Sequence, residues 1–273
     1  MTTATAAPGR PVPAQPSRGE EIRGTLSDWS TFTYRNLLVW LRVPAFIVFT
    51  VVQPVMFVLM FRYVFGGAIQ TSNEGGYVNF LLPGIIGQTA AFAAIGTAIA
   101  LAIEVQKGIL DRFRSMPIAR SAVLGGRLVA DTARMALTIV IIVGVGYAVG
   151  FRFQNGFLPA VAMVALAVFF GLTICCVSAF IGLSIKDEES VQAFGFIWIF
   201  PLTFLSSAFV PVESMPGWLQ AFANNQPVTH VVDTLRSLAL GGPIASNLLL
   251  SLLWLAAILA VFAPLAVRAY KRA

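Results

Sequence analysis

The chain has 273 residues, of which 58% are hydrophobic and only 11% charged, against about 25% charged in an ordinary soluble domain. So little charge cannot cover a globular surface, which argues against a soluble enzyme, a nucleic-acid reader and a disordered chain and points to lipid as the main solvent. The net charge is +6, and where those charges fall matters more than their sum.

Residues 1–21, rich in Ala, Pro and Thr and without an apolar h-region, are expected to form a disordered cytoplasmic tail and not a cleavable signal. Over 22–43, Leu26, Trp29, Phe32, Leu37, Trp40 and Leu41 recur at helical spacing among Arg23, Asp28, Arg35 and Arg42. That pattern predicts an amphipathic helix lying in the membrane plane with its aromatics at headgroup depth.

Six charge-free intervals follow, 43–61, 75–103, 135–151, 153–185, 190–212 and 237–267. Each reaches the roughly 17–25 residues of a spanning helix. The spans are expected near 44–64, 80–102, 130–150, 158–183, 191–210 and 246–267. Arg127, Asp131 and Arg134 sit where the third begins, and are expected to snorkel or to pair at the interface. Six spans put both termini on one side. With that side cytoplasmic, 15 of the 18 basic residues lie inside and only Arg62, Arg152 and Arg236 outside, a strong positive-inside bias.

Two segments between spans are too patterned to be plain connectors. In 104–120, Val105, Ile109, Phe113 and Met116 form one apolar stripe on a charged short helix, an arrangement that asks for a partner surface. Lys107 and Asp111 make an i,i+4 pair, and Pro117 ends the helix. The second, 211–245, carries Trp218, Leu219 and Phe222, then Val228, Val231, Val232, Leu235 and Leu238, before Gly241-Gly242-Pro243. It reads as two short external helices dipping into the outer leaflet. A short charged tail, 269–273, is expected to close the chain on the cytoplasmic side.

No catalytic or metal constellation is visible. His230 is the only histidine, which rules out motifs such as H-E-x-x-H. Cys175 and Cys176 are adjacent in an apolar run and are expected to be packing residues. The three lysines, Lys107, Lys186 and Lys271, follow Gln, Ile and Tyr and never Gly, so no phosphate-binding loop exists and any hydrolysis of Mg-ATP must come from another chain. No ionisable group lies within the six intervals, which counts against an ion-gradient-driven secondary multidrug transporter, the alternative reading. Gln53, Gln88, Thr97, Thr203 and Ser206 supply uncharged polarity inside spans. They are candidates to line a path for cargo, or equally to serve as interhelical hydrogen-bond partners.

EVQKGILDRFRSMPIAR at 104–120, FVPVESMPGWLQAF at 209–222 and NQPVTHVVDTLR at 225–236 together resemble the membrane permease subunits of type-2 ATP-binding-cassette (ABC) exporters. Among these the likeness is to the daunorubicin/doxorubicin-resistance permeases of actinobacteria. The resemblance covers about residues 25–270. It implies an all-α integral membrane fold, with an in-plane amino-terminal helix, a six-span permease domain over 44–268 and external helices over about 212–241, between spans five and six. It also implies a cytoplasmic coupling helix over about 104–117 that docks on a separate ATPase. Glu104, Lys107, Gly108, Asp111, Arg112, Arg114, Met116 and Pro117 match that element, beside the stripe of Val105, Ile109 and Phe113. By this resemblance the partners are two ABC ATPase subunits and a second permease copy, identical or not, with no nucleic acid. The place is the cell membrane, crossed several times, with both termini cytoplasmic. The function implied is outward movement of a hydrophobic or amphipathic drug, antibiotic or lipid, with no catalysis by this chain.

Overall fold

The computed structural model describes residues 18–42, 48–65, 76–114, 120–185 and 187–272. In chain order these form α1 (Arg18–Arg42), α2 (Gln53–Met60) between π-helical turns at Val48–Val52 and Phe61–Phe65, and α3 (Tyr77–Gln106). Next come α4 (Ile109–Arg114), α5 (Arg120–Ala148), α6 (Phe157–Ser184) and α7 (Glu188–Phe204). A 3-10 turn at Val212–Ser214 leads to α8 (Gly217–Asn224), α9 (Pro227–Leu240) and α10 (Ala245–Arg272). Every regular element among the described residues is helical.

Four helices are long and apolar enough to cross a bilayer: Tyr77–Gln106, Val123–Ala148, Phe157–Ser184 and Ala245–Arg272. The expected spans at 80–102, 130–150, 158–183 and 246–267 therefore have counterparts, each longer than the expected span. The helix of α5 begins ten residues before its expected span, because Arg127, Asp131 and Arg134 pair with one another and with α3 and so can stay helical. Residues 269–272, expected as a tail, continue α10, and Tyr270 is buried. Likewise α1 takes up residues 18–21 of the expected amino-terminal tail.

The two remaining apolar segments are shorter. The stretch Thr50–Val64 has 15 residues, about 22 Å at 1.5 Å per residue. With 17 residues, α7 reaches about 25 Å. Its expected end at 210 is too late. The helix stops at Phe204, three residues past Pro201, and the Ser206 hydroxyl turns back to donate to the Thr203 carbonyl at 2.6 Å while accepting from the Ala208 N–H at 3.2 Å. That local competition satisfies backbone groups without another helical turn.

At the centre lies α3, its apolar stretch two-thirds buried against α5, α6, α7 and α9. Its crossing with α6 is close: a Cβ built at Gly182 would run into the Ala98 carbonyl. Only glycine permits that approach. By contrast α10 buries about a tenth of its apolar stretch and exposes Leu249, Leu253, Val261 and Val267, a surface suited to hydrocarbon.

The aromatics of α1 have a partner in protein. Phe32 is 6% and Trp40 9% exposed. The Trp29 ring lies against Gly125 and the Phe32 Cβ against Gly126 of α5, and the Thr33 hydroxyl donates to the Gly126 carbonyl at 3.2 Å. The helical spacing that marks an apolar face is the same whether lipid or another helix covers it; for Trp29 and Phe32 it is α5. The segment expected to carry two short helices forms α8 and α9, and α9 is clamped inward. Arg236 pairs with Asp233 at 2.7 Å, donates to the carbonyls of Phe80 (3.2 Å) and Ser207 (2.8 Å), and stacks over the Phe80 ring at 3.8 Å. Burial pulls the Arg236 pKa below the usual arginine value and Asp233 opposes the fall. A guanidinium with this many donors engaged remains a cation.

Candidate transport cavity and coupling element

A cavity of about 610 Å³ opens between the second half of α1, α2, α3, α5 and the start of α7. Its inner part is lined by Phe57, Phe92, Ile95, Met135 and Phe196 together with Gln53, Gln88 and Thr89. Phe92 and Phe196 meet edge to face at 6.0 Å. From Phe57 an aromatic file continues through Phe61, Phe209 and Phe204 to Phe200, with centroid spacings of 6.0, 4.9, 5.0 and 4.2 Å. The rings of Phe57, Phe92 and Phe196 form the cavity's aromatic wall, which offers broad contact to apolar and planar groups and little discrimination among them.

The outer part of the cavity is charged. Glu104, at the end of α3, is 3.6 Å from Arg35 of α1 and 3.3 Å from Arg127 of α5. Asp131 lies 3.9 Å from Arg127 and 3.1 Å from Arg134. The Thr97 hydroxyl donates to Asp131 at 2.7 Å and sits 3.4 Å from the Cys175 sulfur. Glu104 and Asp131 are 9% and 8% exposed, so each carboxylate is mostly dehydrated and depends on its guanidinium partners. One network therefore ties α1, α3 and α5 at the level where the predicted coupling element begins.

That element opens with a turn at Lys107-Gly108. Gly108 has φ +63°, a left-handed conformation that favours glycine, and it lets α4 leave α3 after one turn. Leu110 is 2% exposed and packs with Phe32, Leu101, Val123, Leu124 and Tyr270, with Val105 against the same cluster. Ile109 lines the cavity. So the two residues of the stripe whose surroundings are described face inward, and α4 is anchored to the body by Leu110, which the stripe omits. Lys107 and Arg112 are exposed. The side chains of Asp111, Phe113 and Arg114, and Met116 and Pro117 entirely, lie outside the described residues.

The five candidate path residues separate. Gln53 and Gln88 line the one cavity. Thr97 is fully buried within the charge network. Thr203 bonds back to the Ile199 carbonyl at 2.9 Å and borders a second, wholly apolar cavity of about 360 Å³ between α6, α7 and α10. Ser206 is spent on the end of α7. Arg35, Arg127, Asp131 and Arg134 are the lining residues that polarity within spans does not pick out, since the charged positions fall outside every charge-free interval.

Residues 27–240 match the ABC-2 type transporter family, and the chain belongs to that family of membrane-embedded permeases. It is 34% identical to a daunorubicin-resistance ABC transporter permease of Streptomyces coeruleorubidus, over 94% of this chain and 89% of that protein. A probable doxorubicin-resistance ABC transporter permease of Mycobacterium tuberculosis is 29% identical, over 88% of this chain and 87% of its own length. A doxorubicin-resistance permease of the same organism is 28% identical over 70% of this chain and 68% of that protein.

Proposed function

We propose that this chain is the transmembrane subunit of an ATP-driven exporter that moves a hydrophobic or amphipathic cargo outward, energised by two separate ABC ATPase subunits. The observation that carries the reading is the continuity of one cavity from the coupling turn to the bilayer interior. Glu104, Lys107 and Ile109 stand at its mouth, and Gln53, Gln88 and the aromatic wall lie deeper. A displacement of α4 by a docked ATPase would reach α1 and α5 through Glu104, Arg35 and Arg127, and so alter the walls around the cargo. Drug resistance in the relatives' names supports a drug or antibiotic as that cargo, and a lipid would meet the same apolar wall.

On this reading Thr50–Val64 and α7 complete six spans, shorter than the other four, with both termini in the cytoplasm. The arginine-rich ends of α1, α4 and α10 then face the negative inner side. A second permease copy, identical or related, completes the assembly, and Mg-ATP is used in the partner chains. Asp111, Arg112, Phe113, Arg114, Met116 and Pro117 form the docking side of the coupling element, with Val105 and Leu110 holding it to the body. The ion-gradient alternative would rest on the buried Glu104 or Asp131, and the two guanidinium partners of each already compensate its charge. The test is Asp111→Ala/Arg112→Ala in the complex. The variant should still insert but lose cargo-stimulated ATP hydrolysis. Unaltered assembly, stimulation and export would remove these residues from the coupling role.

A further inference from the structure

The cavity has a charge imbalance that neither the family nor a general hydrophobic cargo requires. Arg35, Lys107, Arg127 and Arg134 line it, against only Glu104 and Asp131. Both carboxylates are already shared, Glu104 between Arg35 and Arg127, and Asp131 between Arg127 and Arg134. Two positive charges are left over. Lys107 stands exposed at the outer mouth, and Arg134, 17% exposed, lies deeper with only one of its guanidinium nitrogens at Asp131. A planar fork with donors to spare is suited to a carboxylate or phosphate.

A second, independent feature lies further in. Gln88 is 7% exposed, lines the cavity, and its side-chain amide has no hydrogen-bond partner among the described residues. The amide keeps access to the cavity, and that is where a partner would sit. Thr97, bonded to Asp131, marks the Arg134 layer on α3. Nine residues of helix separate it from Gln88, about 13 Å along the axis.

We propose that the cavity binds an amphiphile with an acidic head group, seated at Arg134 and drawn in past Lys107 and Arg35, whose apolar body runs along Phe92 and Phe196. A hydrogen-bonding group about 13 Å from the acid meets Gln88. This deepens the transport reading and rests on it. The acid has two sources, an anionic phospholipid or a small acidic cargo, and both present the same charge to Arg134.

The test uses the full-length permease in phosphatidylcholine nanodiscs, with empty discs as blank. The probes are pyrenebutyric acid, pyrenebutanol and pyrenebutylamine, read by energy transfer from tryptophan; Trp40 lines the cavity. The acid should bind at least tenfold more tightly than the alcohol or the amine. Arg134→Gln should erase that preference while leaving the alcohol unchanged, and Arg134→Lys should keep most of it. Asp131 retains Arg127 and Thr97 in both variants. Should Arg134→Gln fail to assemble, Lys107→Glu on the exposed turn should weaken the acid alone, by about threefold. Displacement of the acid by added phosphatidylglycerol assigns the site to lipid, and persistence assigns it to a small acid. Equal binding of the three probes, preference for the amine, or no saturable binding overturns the proposal. None of these readouts needs ATP, so they fail separately from the transport reading, which ATP-dependent export on the same preparations decides.

Discussion

Replacing Glu104 with Gln keeps the shape of the side chain and removes its charge. In the native network that carboxylate is bracketed by Arg35 and Arg127 at 3.6 and 3.3 Å. Removing one partner of a fully buried ion pair costs about 3–5 kcal/mol, because the remaining charge is left uncompensated. Two facts reduce that figure here. The Arg35 side chain is 39% exposed, so water takes over much of its solvation, and Arg127 keeps a long contact to Asp131 at 3.9 Å. Against this, the Arg127 side chain is only 12% exposed and its Nε has no hydrogen-bond partner among the described residues. We expect a net loss of about 2 kcal/mol. At 2–4 °C per kcal/mol for chains of roughly this size, Tm should fall by about 4–8 °C. The assay is thermal unfolding of the purified permease with Glu104→Gln, Arg127→Gln and the double variant. The double variant should lose less than the sum of the singles, since each single already breaks the shared pair. Strict additivity, or a Tm within 1 °C of the native protein for Glu104→Gln, would refute the network as a structural tie.

Three further perturbations test other parts. Gly182→Val places atoms where the Ala98 carbonyl lies and should cost 3 kcal/mol or more by prising α6 from α3, seen as lost monodisperse protein on gel filtration; roughly, overpacking alone costs 1–3 kcal/mol. Gly144→Ala, where a Cβ meets nothing within 4 Å, is the control and should leave Tm unchanged or raise it slightly, helix propensity favouring alanine by about 0.8–1.0 kcal/mol. Arg236→Met removes the clamp on Phe80 and Ser207 and should raise hydrogen exchange across 227–240 while α6 stays protected; equal protection in α9 would count against the clamp. Asp187 caps α7 by accepting from the Ser190 N–H at 2.8 Å, and hydrogen bonds from Ser190 hold its pKa below the usual carboxylate value. Its folded pKa being depressed, the cap contributes above the ordinary carboxylate pKa and is lost as pH falls through the lowered one. Asp187→Ala should fray residues 188–191 at neutral pH in amide exchange and remove any acid dependence of that fraying.

Composition and charge placement made much of the architecture legible. Long apolar runs free of charge must be helical in lipid, since no water is there to satisfy the backbone, and α3, α5, α6 and α10 lie where those runs lie. The pair α8 and α9 was equally readable, from the helical spacing of Val228, Val231, Val232, Leu235 and Leu238 and the stop at Gly241. What could not be read is tertiary. Nothing local says that Glu104 meets Arg35 across 69 positions, or that Asp131 turns inward to Thr97 on α3. A charge beside a span looks the same whether it snorkels to water or pairs inside the bundle. The stripe at Val105 and Ile109 was legible as apolar, but its direction depends on where Phe32, Val123 and Tyr270 come to lie. Of the five uncharged polar residues, Thr203 and Ser206 were spent on their own backbone. That outcome is common for hydroxyls in helices, and it leaves Gln53 and Gln88 for the cavity.

The central claim is that this permease borrows its power stroke from an ATPase bound to its coupling element. The most direct measurement is cargo movement in sealed proteoliposomes holding the permease with its ATPase partner. The account predicts transport that starts on adding Mg-ATP, stops with a hydrolysis-deficient ATPase, and does not respond to an imposed proton gradient. Transport driven by the gradient alone, with no ATPase present, would contradict it.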